Sequence, residues 1–561
     1  MVFNGASLDA YQASGASPLA MLEKKQRTFL GISWGEIKLL AIAGVGFFMD
    51  AYDLFIINMI YAILLRAYYP STAKNIDWGL DGGVLKASAN IGNIIGQIMF
   101  GFLGDSLGRS AVYGKELVIV IVSVILIISA PDYLGGHGIT VWMTAFRILM
   151  GIGIGGDYPM SAAVVSDRAH LKKRGAMLAW IFSNQGWGNL AGGLLAVIVI
   201  AGYRDYVDAG QLHKLSGAWR ILQGLSLIPA FIALYFRLTL VESTRFTQAR
   251  AIQDDPELLN KASAKGVIVG EIDSEEELAL EKAGGDVAPM TNHTQDVAIG
   301  FGTIGQKAHN DFFQYFSEWR HLKTLIGCSL CWFLVDITFY GINLNQSFIL
   351  SAINFTTGST WGKLMKTATG NLIITVAGFL PGYFFTVALI EPMGRKPIQI
   401  LGFAMNMLFL GILGGKFDTL RHQTGPFFAV FVFLQLFFNF GANATTFIIP
   451  AEVFPTRVRA GAHGLCAATG KVGAIISSLG FSALANQVGQ EIVFWIFFAV
   501  SGAGLIITVL LVPETKNYDA DEVDRQELAA KAGIQPGAHE PQNPVNIAHE
   551  INDTAAPSKS S

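Results

Sequence analysis

Long apolar runs, separated by short polar stretches, dominate this 561-residue chain. Twelve of them are near the length a helix needs to cross a bilayer, about 20 residues. Six come first: Ile37–Leu65, Val84–Leu103, Ala111–Ser129, Thr140–Val165, Ala176–Ile200 and Trp219–Leu240. Six follow: Leu322–Leu350, Thr367–Ile390, Pro397–Gly414, Pro426–Pro450, Gly461–Ala485 and Ile492–Val512. The runs are continuous and lack the in–out alternation of barrel strands. Hydrocarbon forces backbone polar groups to bond internally, so each run predicts a helix. The predicted class is an all-α membrane protein with twelve transmembrane helices.

The polar stretches set the organisation. Residues 1–36 form an N-terminal segment, 37–241 a first six-helix half and 321–512 a second. The acidic stretch 242–320 between the halves predicts a flexible linker, and the polar tail 513–561 predicts disorder. Arg109, Lys115, Arg168, Lys172, Lys173, Arg174, Arg395, Lys396, Arg457 and Arg459 all fall in alternate connections. By the positive-inside rule those connections, and both termini, are expected in the cytoplasm. Only 14% of residues are charged and the net charge is −3, which gives no reason to expect nucleic acid as a partner. No phosphate-loop motif, cofactor motif or metal-ligand set is found, so an enzyme is not expected. Gly151, Gly153 and Gly156 match a dinucleotide fingerprint by letter, but they lie inside a span, where small residues serve helix packing. Cys328 and Cys331, also within a span, read as apolar packing.

The halves echo each other. Gly108-Arg109 follows the second span and Gly394-Arg395 the eighth, each with a carboxylate four residues before the Arg, Asp105 and Glu391. Asp167 precedes Arg174 by seven, as Glu452 precedes Arg459. Glu242 after the sixth span matches Glu514 after the twelfth. Such a repeat predicts two pseudo-symmetric halves with a substrate site between them near the midplane.

Ionisable residues inside spans are costly and mark ion or substrate pathways. The fourth span carries Arg147 and Asp157-Tyr158 within Gly155-Gly156-Asp157-Tyr158-Pro159. The first carries Asp50 and Asp53 on one face, and the fifth carries Gln185. Trp332, Asp336 and Tyr340 make a stripe on the seventh, Asn439 and Asn443 lie on the tenth, and Lys471 is the lone charge of the eleventh. Buried carboxylates cannot all stay ionised without partners, which suits proton carriage. Arg147 and Lys471 are the expected partners of Asp50 or Asp53 and of Asp157, and which of them compensates Asp157 is left open.

The segment Gly101-Phe102-Leu103-Gly104-Asp105-Ser106-Leu107-Gly108-Arg109 resembles the loop motif of the major facilitator superfamily. Gly155–Ser161, Phe47–Phe55, the Trp332–Tyr340 stripe and Asn439–Phe447 resemble the phosphate:proton symporter family, in particular its fungal high-affinity branch. The resemblance implies the major facilitator fold and proton-coupled import of inorganic phosphate across a plasma membrane, with no cofactor. It implies phosphate contacts from Tyr158, Gln185, Trp332, Asp336, Tyr340 and Asn443. It implies a proton path through Asp50, Asp53, Asp157 and Asp336, with Arg147 and Lys471 as charge partners. It also implies a cytoplasmic gate of Asp105, Arg109, Arg174, Glu242, Arg395, Glu452 and Arg459. Two other readings stay open: an organic-phosphate (glycerophosphodiester) permease, and a phosphate sensor with secondary transport.

Overall fold

A computed structural model describes residues 34–69, 78–238 and 311–531. These residues are helical almost throughout. The first span is Trp34–Phe55 continued by Ile57–Tyr68, the second Trp78–Leu107, the third Lys115–Ile128, the fourth Gly135–Arg168 and the fifth Arg174–Gly202. The sixth is Leu215–Gly224 with Leu227–Leu238. In the second set, the seventh is Trp319–Asn343, and the eighth runs Thr360–Ile374, Thr375–Phe379 and Leu380–Met393. The ninth is Arg395–Leu420, the tenth Thr424–Asn439 with Ala442–Val453, the eleventh Arg459–Val488 and the twelfth Gln490–Leu511. Ten of these are long and apolar enough to cross a bilayer by length and composition; the second and third helices are not among those ten.

Several spans are irregular, and the irregularities lie beside the polar residues that the sequence singles out. The first helix is distorted at Ile56, three residues after Asp53, while its backbone stays right-handed helical. The tenth unwinds at Phe440-Gly441, between Asn439 and Asn443. The eighth widens to a π-helical turn over Thr375–Phe379, just ahead of Tyr383. Interrupted helices are tolerated at membrane depth where the freed backbone lines a polar cavity.

The repeat seen in the sequence recurs in the backbone. Gly108 and Gly394, each just before its Arg, have φ of 102° and 91°. A residue with a Cβ is strained there, so both halves need glycine at the same turn. The second span packs along both the fourth and the eleventh, and the fifth along the first and the eighth, so the halves meet over two long seams. The chain ends that flank the linker, and the helix Ala520–Lys531, share one face, termed the linker face below.

Two expectations are corrected. The tail 513–561 is not disordered throughout: Ala520–Lys531 is a helix, held by carboxylates that meet basic residues of the linker face. The linker 242–320 is not a loose connection to its end: residues 311–316 are helical, with Phe312 edge-on to Phe102 at 5.0 Å and Phe316 edge-on to Phe454 at 5.5 Å. Aromatic burial supplies ordering that a polar composition by itself does not.

The crossing of the second and fourth spans is a close backbone approach. A Cβ on Gly151 would lie against the Ala89 carbonyl, and one on Gly92 against the Ile148 carbonyl. Gly151→Leu is therefore expected to destabilise the protein by about 1–3 kcal/mol through overpacking, read as a lowered thermal midpoint in detergent. Gly224→Ala, whose methyl would meet nothing nearer than Ile128 at 3.6 Å, should shift stability by less than about 0.5 kcal/mol.

Candidate functional site

Between the halves lies a buried cluster of polar side chains, termed the chamber below. From the first half come Tyr158 and Gln185; from the second come Trp332, Asp336, Tyr340, Tyr383, Asn443 and Lys471. All are buried. Gln185 Nε2 donates to Tyr158 Oη at 2.8 Å, and Tyr383 Oη donates to Gln185 Oε1 at 3.1 Å. Asn443 Nδ2 donates to Tyr383 Oη at 3.1 Å and to Asn439 Oδ1 at 2.9 Å. A chain of neutral donors and acceptors thus runs from the fourth span to the tenth. Facing it, Lys471 Nζ donates to Asp336 Oδ2 at 2.8 Å and to Tyr340 Oη at 3.0 Å. The same ammonium lies 4.3 Å from the Tyr340 ring centre and 5.3 Å from that of Tyr158, so one cation touches both halves. Phe182 and Phe447 stack at 4.6 Å, and Phe47 meets Phe447 edge-on at 5.2 Å, closing one side of the chamber with apolar rings. Tyr383 was not singled out from the sequence; a lone tyrosine in an apolar run carries no signal until its partners are known.

The charge partners differ from expectation. Neither Arg147 nor Lys471 compensates Asp157. Arg237 does, in a bidentate pair with Nη1–Oδ1 at 2.7 Å and Nη2–Oδ2 at 2.9 Å. The same Nη1 lies 2.9 Å from Glu116 Oε1, and the guanidinium stacks 4.4 Å over Tyr113. Ser161 Oγ adds a 2.6 Å bond to Asp157, and the Gly114 amide donates to Glu116 at 2.8 Å. Arg237 and Glu116, near the ends of the sixth and third spans and not singled out from the sequence, are both fully buried. The planar fork of arginine can serve two carboxylates at once, which an ammonium cannot do with the same geometry. On the first span Gly46 leaves room for the pair: a Cβ there would collide with both Arg237 and Asp157.

Asp50 lies within electrostatic reach of this cluster, and neither of its carboxylate oxygens has a hydrogen-bond partner among the described residues. Asp53 accepts from Gln223 Nε2 at 2.8 Å, while Arg147 donates to the Asp53 backbone carbonyl at 3.2 Å. Three carboxylates, Asp50, Glu116 and Asp157, therefore share one guanidinium.

The predicted gate residues converge on the linker face, with one exception: Glu242 lies outside the described residues. Arg109 pairs with Asp105 at 3.2 Å and with Asp167 at 3.2 Å. Asp167 also pairs across the halves with Arg459, and Asp105 accepts from the Ala460 and Gly461 amides at 3.1 and 2.6 Å. In the second half Arg395 bridges Glu391 at 2.8 Å and Glu452 at 2.7 Å, and Glu391 accepts from the Ala176 amide of the first half at 2.9 Å. Arg174 is buried beside Arg395, in the field of Glu452 and Asp521. The pairing thus crosses between motifs and does not follow the seven-residue spacing within each.

The helix Ala520–Lys531 completes this face. Asp521 accepts from the Thr456 amide at 2.5 Å and lies 3.2 Å from Arg459, and Asp524 takes a bidentate bond from Arg457 at 2.7 and 2.8 Å. Burial pushes Asp521 up, but Arg459 and the Thr456 amide outweigh it and hold the carboxyl well below the usual range. Its contribution to stability is present above the ordinary carboxylate pKa and is lost only in acid below it, so this clasp stays ionised at physiological pH.

The opposite face is shut as well. Asn58 Nδ2 donates to the Asn343 carbonyl at 2.7 Å, and Ser347 Oγ to the Asn58 carbonyl at 3.3 Å. The structure is therefore occluded, with the chamber closed on both sides.

Two repeated helical halves around one occluded polar chamber define a secondary transporter. The chain belongs to the sugar (and other) transporter family of the major facilitator superfamily, which it matches over residues 39–526. A relative from Schizosaccharomyces pombe named for inorganic phosphate transport is 44% identical over 550 residues, covering 93% of this chain and 94% of that one. The inorganic phosphate transporter PHO84 of Saccharomyces cerevisiae is 37% identical, over 88% of this chain and 85% of its own. Among solved structures, the proton:xylose symporter XylE bound to 6-bromo-6-deoxy-D-glucose superposes with a TM-score of 0.65 at 19% identity, covering 88% of this chain and 98% of that one.

Removing one member of a buried ion pair leaves the other charge uncompensated, at roughly 3–5 kcal/mol. Arg237→Gln is accordingly expected to lower stability by about that amount, measured by thermal unfolding in detergent. Adding Asp157→Asn to Arg237→Gln should restore part of the loss, since one stranded carboxylate is gone. Equal unfolding midpoints for the single and double variants would argue against the pairing.

Proposed function

We propose that this protein is a proton-coupled symporter that imports inorganic phosphate across the plasma membrane by alternating access. The observation that carries this reading is the Lys471–Asp336 pair, set opposite the Tyr158–Gln185–Tyr383–Asn443 net. Lys471 is the one cation facing the chamber among the described residues, and Asp336 occupies it. A proton on Asp336 frees the ammonium for an oxyanion. Neutral Tyr, Gln, Asn and Trp donors then coordinate the remaining oxygens. Loss of that proton lets Asp336 reclaim Lys471 and displaces the anion. Phosphate contacts are assigned to Tyr158, Gln185, Trp332, Asp336, Tyr340 and Asn443, with Tyr383 added.

The Asp50, Glu116 and Asp157 group with Arg237, and the Asp53–Arg147 pair farther from the linker face, are assigned to the proton path. Carboxylates that outnumber their cations favour a bound proton, which is what a relay requires. The positive-inside pattern supports placing the linker face, and with it both termini and the gate, in the cytoplasm. Names of the related phosphate transporters support the substrate, and the ring-packed wall of the chamber suits a small oxyanion better than an organic phosphate. Coupling is needed energetically: bringing one net negative charge into a cell costs about 2.3 kcal/mol per 100 mV of inside-negative potential.

Radiolabelled phosphate uptake into proteoliposomes tests the proposal. Uphill accumulation should appear with an imposed proton gradient and vanish without it; uptake indifferent to the gradient would refute symport. Asp336→Asn should still bind phosphate, while its accumulation ratio falls to about one, the value expected when coupling is lost. Normal uphill uptake by that variant would remove Asp336 from the coupling.

A further inference from the structure

The seam opposite the linker face holds a cation that the chamber and the proton path do not use. Lys86, in the second span, is 5% exposed. Its Nζ donates across the seam to Asn345 Oδ1 at 2.9 Å and lies 4.9 Å from the Tyr61 ring centre. Asn345 is itself fixed: Nδ2 donates to the Gly341 carbonyl at 2.9 Å, and Oδ1 also accepts from Ser482 Oγ at 3.2 Å. Among the described residues no carboxylate pairs with Lys86; the Asn345 amide oxygen and the Tyr61 ring are its partners. Lys471, Arg237 and Arg109 each have a carboxylate within ion-pair distance.

An amide oxygen and a ring face compensate a buried ammonium poorly. A lysine retained on such partners serves a state in which its charge is better satisfied. Geometry identifies that state. Lys86 belongs to the first half and Asn345 to the second, so parting of the seam separates them and turns the ammonium into the vestibule. Close by, the seam is lined by neutral amides, among them Asn58, Asn189, Asn343, Gln346 and Asn371. Between this seam and the linker face, the buried carboxylates Asp50, Asp53, Glu116, Asp157 and Asp336 outnumber the buried cations Arg147, Arg237 and Lys471. An incoming anion therefore meets a repulsive interior, and Lys86 stands on its route as the compensating charge.

We propose that Lys86 is an outer capture site for the phosphate oxyanion, distinct from the chamber. In the open vestibule its ammonium holds the anion. As the seam closes, Asn345 and the Tyr61 ring take the ammonium back and release the anion inward. The inference rests on the phosphate reading above.

Initial rates of radiolabelled phosphate uptake into proteoliposomes under a fixed proton gradient, at low and high ionic strength, provide the test. Lys86→Gln is expected to raise KM about five- to tenfold at low salt with kcat nearly unchanged, and to flatten the dependence of kcat/KM on salt, because steering of a charged ligand acts on its capture. Lys86→Arg should keep the low KM and the salt dependence. Thermal unfolding of each variant in detergent separates misfolding from lost capture. A Lys86→Gln protein with wild-type KM and salt dependence would overturn the proposal. So would a fall in kcat at unchanged KM that Lys86→Arg shares, which marks a seam latch only. Absence of phosphate uptake by the wild-type protein would instead overturn the phosphate reading, and this site with it.

Discussion

Hydrocarbon offers no partner to a charge, so each ionised group inside this bundle has to be compensated by another helix. That constraint ties the interior together. Arg237 of the sixth span joins Asp157 of the fourth and Glu116 of the third. Lys471 of the eleventh joins Asp336 of the seventh. Arg147 of the fourth reaches the distorted first helix at the Asp53 carbonyl. Each contact fixes the rotation of two helices at once, because a helix turned by one residue would point its charge into lipid or against an apolar neighbour. Glycines at the crossings then set how near the backbones come, as where the fourth span lies against the second.

The two closures of the chamber differ in kind. On the linker face they are ion pairs and charge-assisted bonds, Asp167–Arg459, Asp105 on the Ala460 and Gly461 amides, and Arg395 between Glu391 and Glu452. On the opposite face the bonds across the seam include neutral amide contacts from Asn58 and the Lys86–Asn345 contact. Charge-assisted bonds are about twice as strong as neutral ones. The linker face, with Asp521 clasped on Arg459, is thus the firmer of the two, and opening there requires both the ion pairs and the C-terminal helix to release. A transporter that loads from one side benefits from that imbalance, since the empty protein then opens by preference toward the side with weaker bonds.

The stretches misjudged from the sequence share a cause. Polarity predicts a flexible linker and tail, and residues 311–316 and 520–531 depart from that because a few aromatic and acidic side chains find matching surfaces on the linker face. Composition reports average solvation, whereas docking depends on a handful of contacts whose partners lie far away in the chain. The gate motifs show the same thing: Asp105 and Glu391 pair with the Arg four residues on, as a helix end allows, but Asp167 and Glu452 find partners on other elements.

Hydrophobic run length by itself marked out the helices of the bundle, ten of them long and apolar enough to cross a bilayer, and the repeated Gly-Arg turns by themselves determined that there are two related halves, because bilayer thickness and the φ demanded at Gly108 and Gly394 act locally along the chain. The intramembrane carboxylates and Lys471 were equally legible, since a charge in an apolar run is anomalous wherever it occurs. Which charge meets which was decided only by the tertiary structure. Arg237 and Glu116 sit at span ends, where basic and acidic residues are ordinary, and only the packing of the third, fourth and sixth helices buries them around Asp157. Tyr383 and Lys86 gained their meaning in the same way. Periodicity reports which face of a helix is apolar, but ion pairing and hydrogen bonding across helices depend on depth and rotation relative to neighbours, and these are properties of the assembled bundle.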